Sequence, residues 1–235
     1  MSKSGVGSPR APREPMLNSP LVVTALVVFL ICTHLARLLL GGDALALSFA
    51  RGDLQSGRIT SLITYQFVHA NWAHVLMNAV FVLAFGAPVA RYLGSGVRGG
   101  ILFLLFFLAC GVAAALGYGL VMDGMARLGG GEADWALLGA SGAASGLMGG
   151  AVRLMQGRRD GAGSDRGRVG SLAGRTVVAM SLGWIGINLV LGLTGLTPGT
   201  GGAPVAWQAH IVGYFVGLLA IGAFGRLAGD HAIVA

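Results

Sequence analysis

Residues 20–40, PLVVTALVVFLICTHLARLLL, form an apolar run of about the length needed to cross a hydrocarbon core of roughly 30 Å. Runs of this kind recur, and they dictate the solvent. Six are read here, at 20–40, 73–91, 99–122, 137–155, 176–196 and 205–225. A chain with so many must satisfy its backbone inside helices, because lipid offers no hydrogen-bond partners. The expectation is an all-α polytopic membrane protein with six transmembrane helices. Charged residues make up only 11% of the chain, against about 25% in soluble domains. Its 41 glycines point to closely packed helices, since small residues let backbones approach in lipid.

The net charge of +7 raises the question of a nucleic-acid partner, but its placement answers it. With a cytoplasmic N-terminus, the inner segments hold Lys3, Arg10, Arg13, Arg91, Arg98, Arg153, Arg158, Arg159, Arg166, Arg168, Arg175 and Arg226. The outer ones hold Arg37, Arg51, Arg58 and Arg127. This bias is what membrane topology produces, with both termini inside, and no nucleic acid is implied. Residues 1–19 read as a disordered cytoplasmic tail and 226–235 as a short one. The first run is too long for a signal-peptide core and is kept as a span. Residues 41–72 form an outer loop whose Phe49, Tyr65, Phe67 and Trp72 suggest a segment lying at the membrane interface. Residues 156–175 form a basic inner loop, and 197–205, rich in Gly, Pro and Thr, read as a mobile cap. Cys32 and Cys110 sit within apolar runs as packing residues.

Polar groups within spans are costly and by default mark function. One set is HANWAHVLMN, where His74 and Asn78 are four apart on one helix face, with His69 just before them. Helix–helix hydrogen bonding is the plain alternative; without an HExxH or a nearby carboxylate or thiolate, no metal site is expected. A second set is Gly139-Ala140-Ser141-Gly142. Alone, such a serine reads as a packing or back-bonding residue, since small residues including serine are common in membrane helices. Yet Ser141 falls in the first turn of its span, where free N–H groups favour an oxyanion, and Gly142, Gly146 and Gly150 form a smooth stripe. The third set is WQAHIVGYFVG, in which His210 heads a stripe of Gly213 and Gly217. Two glycine stripes, beginning beside Ser141 and His210, would let a hydroxyl and an imidazole meet at the outer ends of their helices. That is the geometry of nucleophilic catalysis. Asp43, Asp53, Asp123, Glu132 and Asp134 all belong to outer connections, and no Asp or Glu falls inside a span. A Ser–His dyad is therefore simpler than a triad, with Asp134 a remote third member. His34, in the first span, reads as a packing or interfacial residue. A transporter using His34, His74 and His210 as a proton path would spread them through membrane depth, whereas His74, Ser141 and His210 share one level.

Together these residues resemble the rhomboid family of intramembrane serine proteases over residues 20–225. The carriers are His69-x4-His74-x3-Asn78, Gly139-Ala140-Ser141-Gly142 and Ala209-His210-x2-Gly213-x3-Gly217, on the second, fourth and sixth spans; Phe85-Gly86 and ITYQFVH also fit. The resemblance implies a six-helix rhomboid-like bundle without a cofactor in the plasma (inner) membrane, its active site opening to the extracytoplasmic side. Substrates would be membrane-spanning or membrane-anchored proteins, reaching the site laterally near residues 176–196, under 197–205. It implies Ser141 as nucleophile, His210 as general base and then acid, and an oxyanion hole of the Ser141 N–H with His74 and Asn78. His69, Gly139, Gly142, Gly213 and Gly217 would support the site. Three positions depart from the family: Thr60-Ser61 in place of Trp-Arg, Ala90 in place of a glutamate, and Ser145 in place of an aromatic that stacks on the histidine. The last leaves open what orients His210, with Trp207 and Tyr214 as candidates. A non-catalytic relative that binds membrane proteins is the alternative, and oligomeric state is not specified.

Overall fold

The computed structural model describes residues 19–129, 134–160, 169–195 and 205–229. The expected N-terminal tail, the cap loop, the middle of the inner loop and the end of the C-terminal tail fall largely or wholly outside these residues, as does Glu132. The described chain is mostly helical. Six long helices are α1 (Leu21–Leu39), α3 (Trp72–Leu93), α4 (Val97–Arg127), α5 (Ser141–Arg159), α6 (Arg175–Thr194) and α7 (Trp207–Leu227), with a single-turn α2 at Ser61–Thr64. Five of them, all but α2 and α5, are long and apolar enough to cross a membrane. The protein is thus a multi-pass integral membrane protein.

Helix α5 falls outside the five by composition: glycine, alanine and serine dominate its first half, and Arg153, Arg158 and Arg159 occupy its second. It is nevertheless the axis of the bundle. Fourteen of its nineteen residues are buried, so its neighbours, not lipid, meet its surface. In lipid, dispersion between close backbones replaces the hydrophobic effect as the cohesive force. The glycines supply that closeness. A β-carbon at Gly213 would overlap the Gly142 carbonyl, and one at Gly217 the Gly146 carbonyl. The stripe on α5 is not the one expected, however. Gly150 faces Phe106 of α4 and Val89 of α3, while Gly149 takes the place against α7. At 3.6 residues per turn, position 150 has rotated about 80° from position 142, but position 149 only about 20°.

Phe103, Phe106 and Phe107 of α4 fill the inner core with Leu147 of α5 and Val82 and Val89 of α3. Helix α4 runs for 31 residues, about 46 Å, and so exceeds the hydrocarbon thickness. Asp123, expected in a loop, therefore lies on its last turns, where it pairs with Arg51 at 3.2 Å and accepts from the Trp135 indole at 3.3 Å.

The outer loop is a folded element. A two-residue strand β1 (Phe49–Ala50) pairs antiparallel with β2 (Ala136–Leu137), just before α5. Phe49 and Tyr65 were expected at the membrane interface, but they are buried with Trp135 and Tyr118 against α4. Trp72 is exposed, as an interfacial ring would be. Inside the loop, Arg58 grips Asp53 through both carboxylate oxygens, at 2.9 and 2.8 Å, and donates to the Ala46 and Ser48 carbonyls. Burial pushes the Asp53 carboxyl up, but the Arg58 bonds and the Ala50 N–H outweigh it and hold the group below its ordinary value. Ser61, one of the departures noted above, is buried and donates to the Arg58 carbonyl at 2.6 Å. Of the two cysteines, Cys110 is buried, whereas Cys32 is exposed and not a core residue.

On the other side of the bundle, Arg153 of α5 donates to the carbonyls of Gly170, Leu218 and Leu219, tying the inner loop to α7. Helix α6 is the least embedded of the long helices: only Val177 and Asn188 are buried on it.

Candidate active site

Ser141 opens α5. The preceding Ala140 offers no side-chain cap, so the first N–H groups of this helix stand free at its positive end. The chain reaches this point under tight backbone control. Gly139 has φ +108°, in the region glycine alone enters freely. Its N–H donates to the Tyr65 carbonyl at 2.9 Å, and the Ala140 N–H donates to His69 Nε2 at 3.3 Å. Tyr65 is itself anchored by its hydroxyl to the Gly111 carbonyl at 2.6 Å. The loop that carries His69 thus frames residues 139–141. His69 is fully buried. Burial, followed by the neighbouring His74 and His34 rings, pushes its pKa down, so at neutral pH it is an uncharged acceptor.

His210 comes from the first turn of α7, one residue beyond the buried Ala209. Its Nε2 lies 2.8 Å from Ser141 Oγ, across the glycine contact that joins α5 to α7. His74 and Asn78, one turn apart on α3, face the same pocket, a cavity of about 350 Å3 that Ser145 and Asn188 also line. Asn78 is 5% exposed and its Nδ2 has no hydrogen-bond partner, so it is a buried donor without an acceptor. Met77, Phe81, Trp184 and Leu191 make the apolar walls.

The structure brings Ser141, His210, His74 and Asn78 together, with Gly139 against the His74 ring. It separates others. Asp134 is exposed and is not the partner of His210. Tyr214 is buried, but its hydroxyl bonds with Ser181 at 3.0 Å, while Trp207 packs against Gly192; neither is the histidine's ring partner. Trp184, 6.4 Å away centre to centre, has that place in a tilted arrangement. Ser145 donates back to the Ser141 carbonyl at 2.7 Å. His34 is buried edge-on against Trp72, 4.8 Å between ring centres.

The residue the sequence reading passes over is Asn188 of α6, whose Oδ1 is 2.8 Å from His210 Nδ1. A signal existed: it is a lone amide in GWIGINLVLG, inside a span where strongly polar groups are expensive. Among the described residues, no group of three or more His, Cys, Asp or Glu is placed to hold a metal ion.

A membrane-embedded helical bundle with a hydroxyl and an imidazole in contact in an apolar pocket is the class defined by fold and site together. The family model described as the Rhomboid domain matches residues 56–227, well over half of the chain, and this protein belongs to the rhomboid family. No curated protein matches the chain.

Proposed function

We propose that the protein is an intramembrane serine endopeptidase that cleaves membrane-spanning or membrane-anchored proteins. The observation that carries this reading is the 2.8 Å contact between Ser141 Oγ and His210 Nε2 inside the pocket. A base at that distance takes the hydroxyl proton as Oγ attacks a carbonyl, and then returns it to the leaving amine. The tetrahedral oxyanion faces the free Ser141 N–H, the His74 ring and the orphaned Asn78 amide. Such donors stabilise charge only as it develops, and each typically contributes a factor of 10²–10³. The acyl-enzyme is then hydrolysed by water without any cofactor.

In this reading α5 is a sixth crossing, both termini are cytoplasmic, and the pocket opens to the extracytoplasmic side of the plasma membrane. Twelve basic residues on one side against four on the other support that orientation. Substrate reaches the pocket past α6, the wall with the fewest buried residues. A scissile bond must leave its helix to be attacked, so helix-breaking or small residues near the cleavage site favour a substrate.

The test compares purified wild type, Ser141→Ala and His210→Ala in detergent on a single-span test protein. Cleavage by wild type alone, together with fluorophosphonate labelling at Ser141, is expected. Absence of both in wild type refutes the protease and favours a non-catalytic membrane-protein binder.

A further inference from the structure

Asn188 is 2% exposed, and it is the one buried polar side chain on a helix that otherwise buries only Val177. Its two ends are both engaged. Nδ2 donates to the Trp184 carbonyl at 2.9 Å, one turn back, and Oδ1 lies 2.8 Å from His210 Nδ1. A carbonyl only accepts, so the NH2 end of the amide must face Trp184 and the oxygen end must face the histidine. That oxygen also only accepts, so Nδ1 carries the hydrogen. A neutral imidazole protonated there has its lone pair on Nε2, the atom facing Ser141. The Trp184 carbonyl thus decides, through one amide, which ring nitrogen is the base.

We propose that Asn188 is a positioning residue that fixes the tautomer and ring plane of His210. The proposal rests on the serine-protease reading above. The Nδ1–H···Oδ1 bond becomes charge-assisted once Nε2 takes the proton, so it favours the imidazolium-bearing transition state over the resting state. An amide does this without adding an ionisable group to a pocket that already holds the His74 and His210 rings. Because the bond runs from α6 to α7, the ring is held only while the two helices stay docked.

The experiment uses the full chain in detergent, as wild type, Asn188→Leu and Asn188→Asp. Asn188→Leu keeps the number and branching of side-chain heavy atoms and removes the acceptor; kcat falls about 10- to 150-fold, the range for a hydrogen bond to a charged group, with KM within about threefold. Asn188→Asp keeps an acceptor and restores kcat to within about tenfold of wild type, and the acidic limb of its kcat/KM profile moves to higher pH because an anion favours the protonated ring. Spectra of 15N-histidine-labelled wild type, with His210 assigned by its loss in His210→Ala, show Nδ1 protonated and Nε2 bare. The proposal is overturned by an Nε2-protonated His210 in wild type, by Asn188→Leu with unchanged kcat, or by an effect on KM alone. If Asn188→Leu does not fold, the wild-type spectrum and Asn188→Asp decide. A wild type that neither cleaves nor labels refutes the protease instead, and the tautomer remains readable.

Discussion

Replacing Gly139 with alanine probes how the turn before α5 places the donors proposed for the oxyanion. A β-carbon there would stand 2.7 Å from His74 Cε1 and Nε2, about 0.7 Å inside the 3.4 Å where ordinary contact begins. The φ of +108° adds a second penalty, since an L side chain at such an angle costs about 1–3 kcal/mol. Backbone relaxation is opposed by the Gly139 N–H bond to Tyr65 and the Ala140 N–H bond to His69, so the imidazole is the part that gives way. A donor displaced by most of an ångström loses much of its value, and misplacements of about 1 Å cost on the order of 10²-fold. The expected result is a fall in kcat of about 10- to 100-fold, with stability in detergent lowered by about 1–3 kcal/mol. Steady-state cleavage of a single-span protein measures the first, and thermal unfolding monitored by fluorescence the second. The double variant with His74→Ala isolates the cause. If the alanine acts through His74, the double variant is no slower than His74→Ala alone, because the ring it pushes is gone. Losses that multiply would refute this account.

Acidification provides another test. His69 is held neutral in the fold but takes a proton below about pH 6.5 when unfolded, so stability drops as pH falls from 7.5 to 5, by up to about 1.4 kcal/mol per pH unit from this group. Unfolding curves of His69→Gln should show a shallower pH slope than wild type; equal slopes would sink the idea. Asp53→Asn breaks the two-point grip of Arg58 and should speed limited proteolysis within residues 41–60. Since the folded carboxyl is held below its ordinary 3.8, wild type keeps this pair intact above about pH 4 and loses it only as pH falls through the lowered value. Gly217→Val puts a branched side chain at a position where the β-carbon alone overlaps the Gly146 carbonyl, so the protein should lose about 3 kcal/mol or fail to fold, and an unchanged melting midpoint would count against the glycine contact.

Hydropathy made the long apolar helices legible, and small-residue spacing pointed to the close pairing of α5 with α7, although the face drifts from Gly150 to Gly149. Ser141, His210, His74 and Asn78 stood out because lipid makes polar side chains conspicuous. Asn188 belonged to the same category but lacked a companion in its own span; its partner is 22 residues away on another helix, a relation no local spacing encodes. The outer loop was misread for a related reason. Phe49 and Tyr65 have the chemistry of interfacial anchors, and only the β1–β2 pairing with residues 136–137 shows that they turn inward.

The sheathing of α5 has a consequence for parity. A rod screened by its neighbours is released from the need to be oily, so a count of greasy segments records five where the proposed arrangement has six. An odd tally would put the two ends of the chain on opposite faces and would part the N-terminal ends of α3 and α7, which meet at one pocket. Reporter fusions at each end, more than any refinement of hydropathy scales, are therefore the natural arbiter of which way this protein faces.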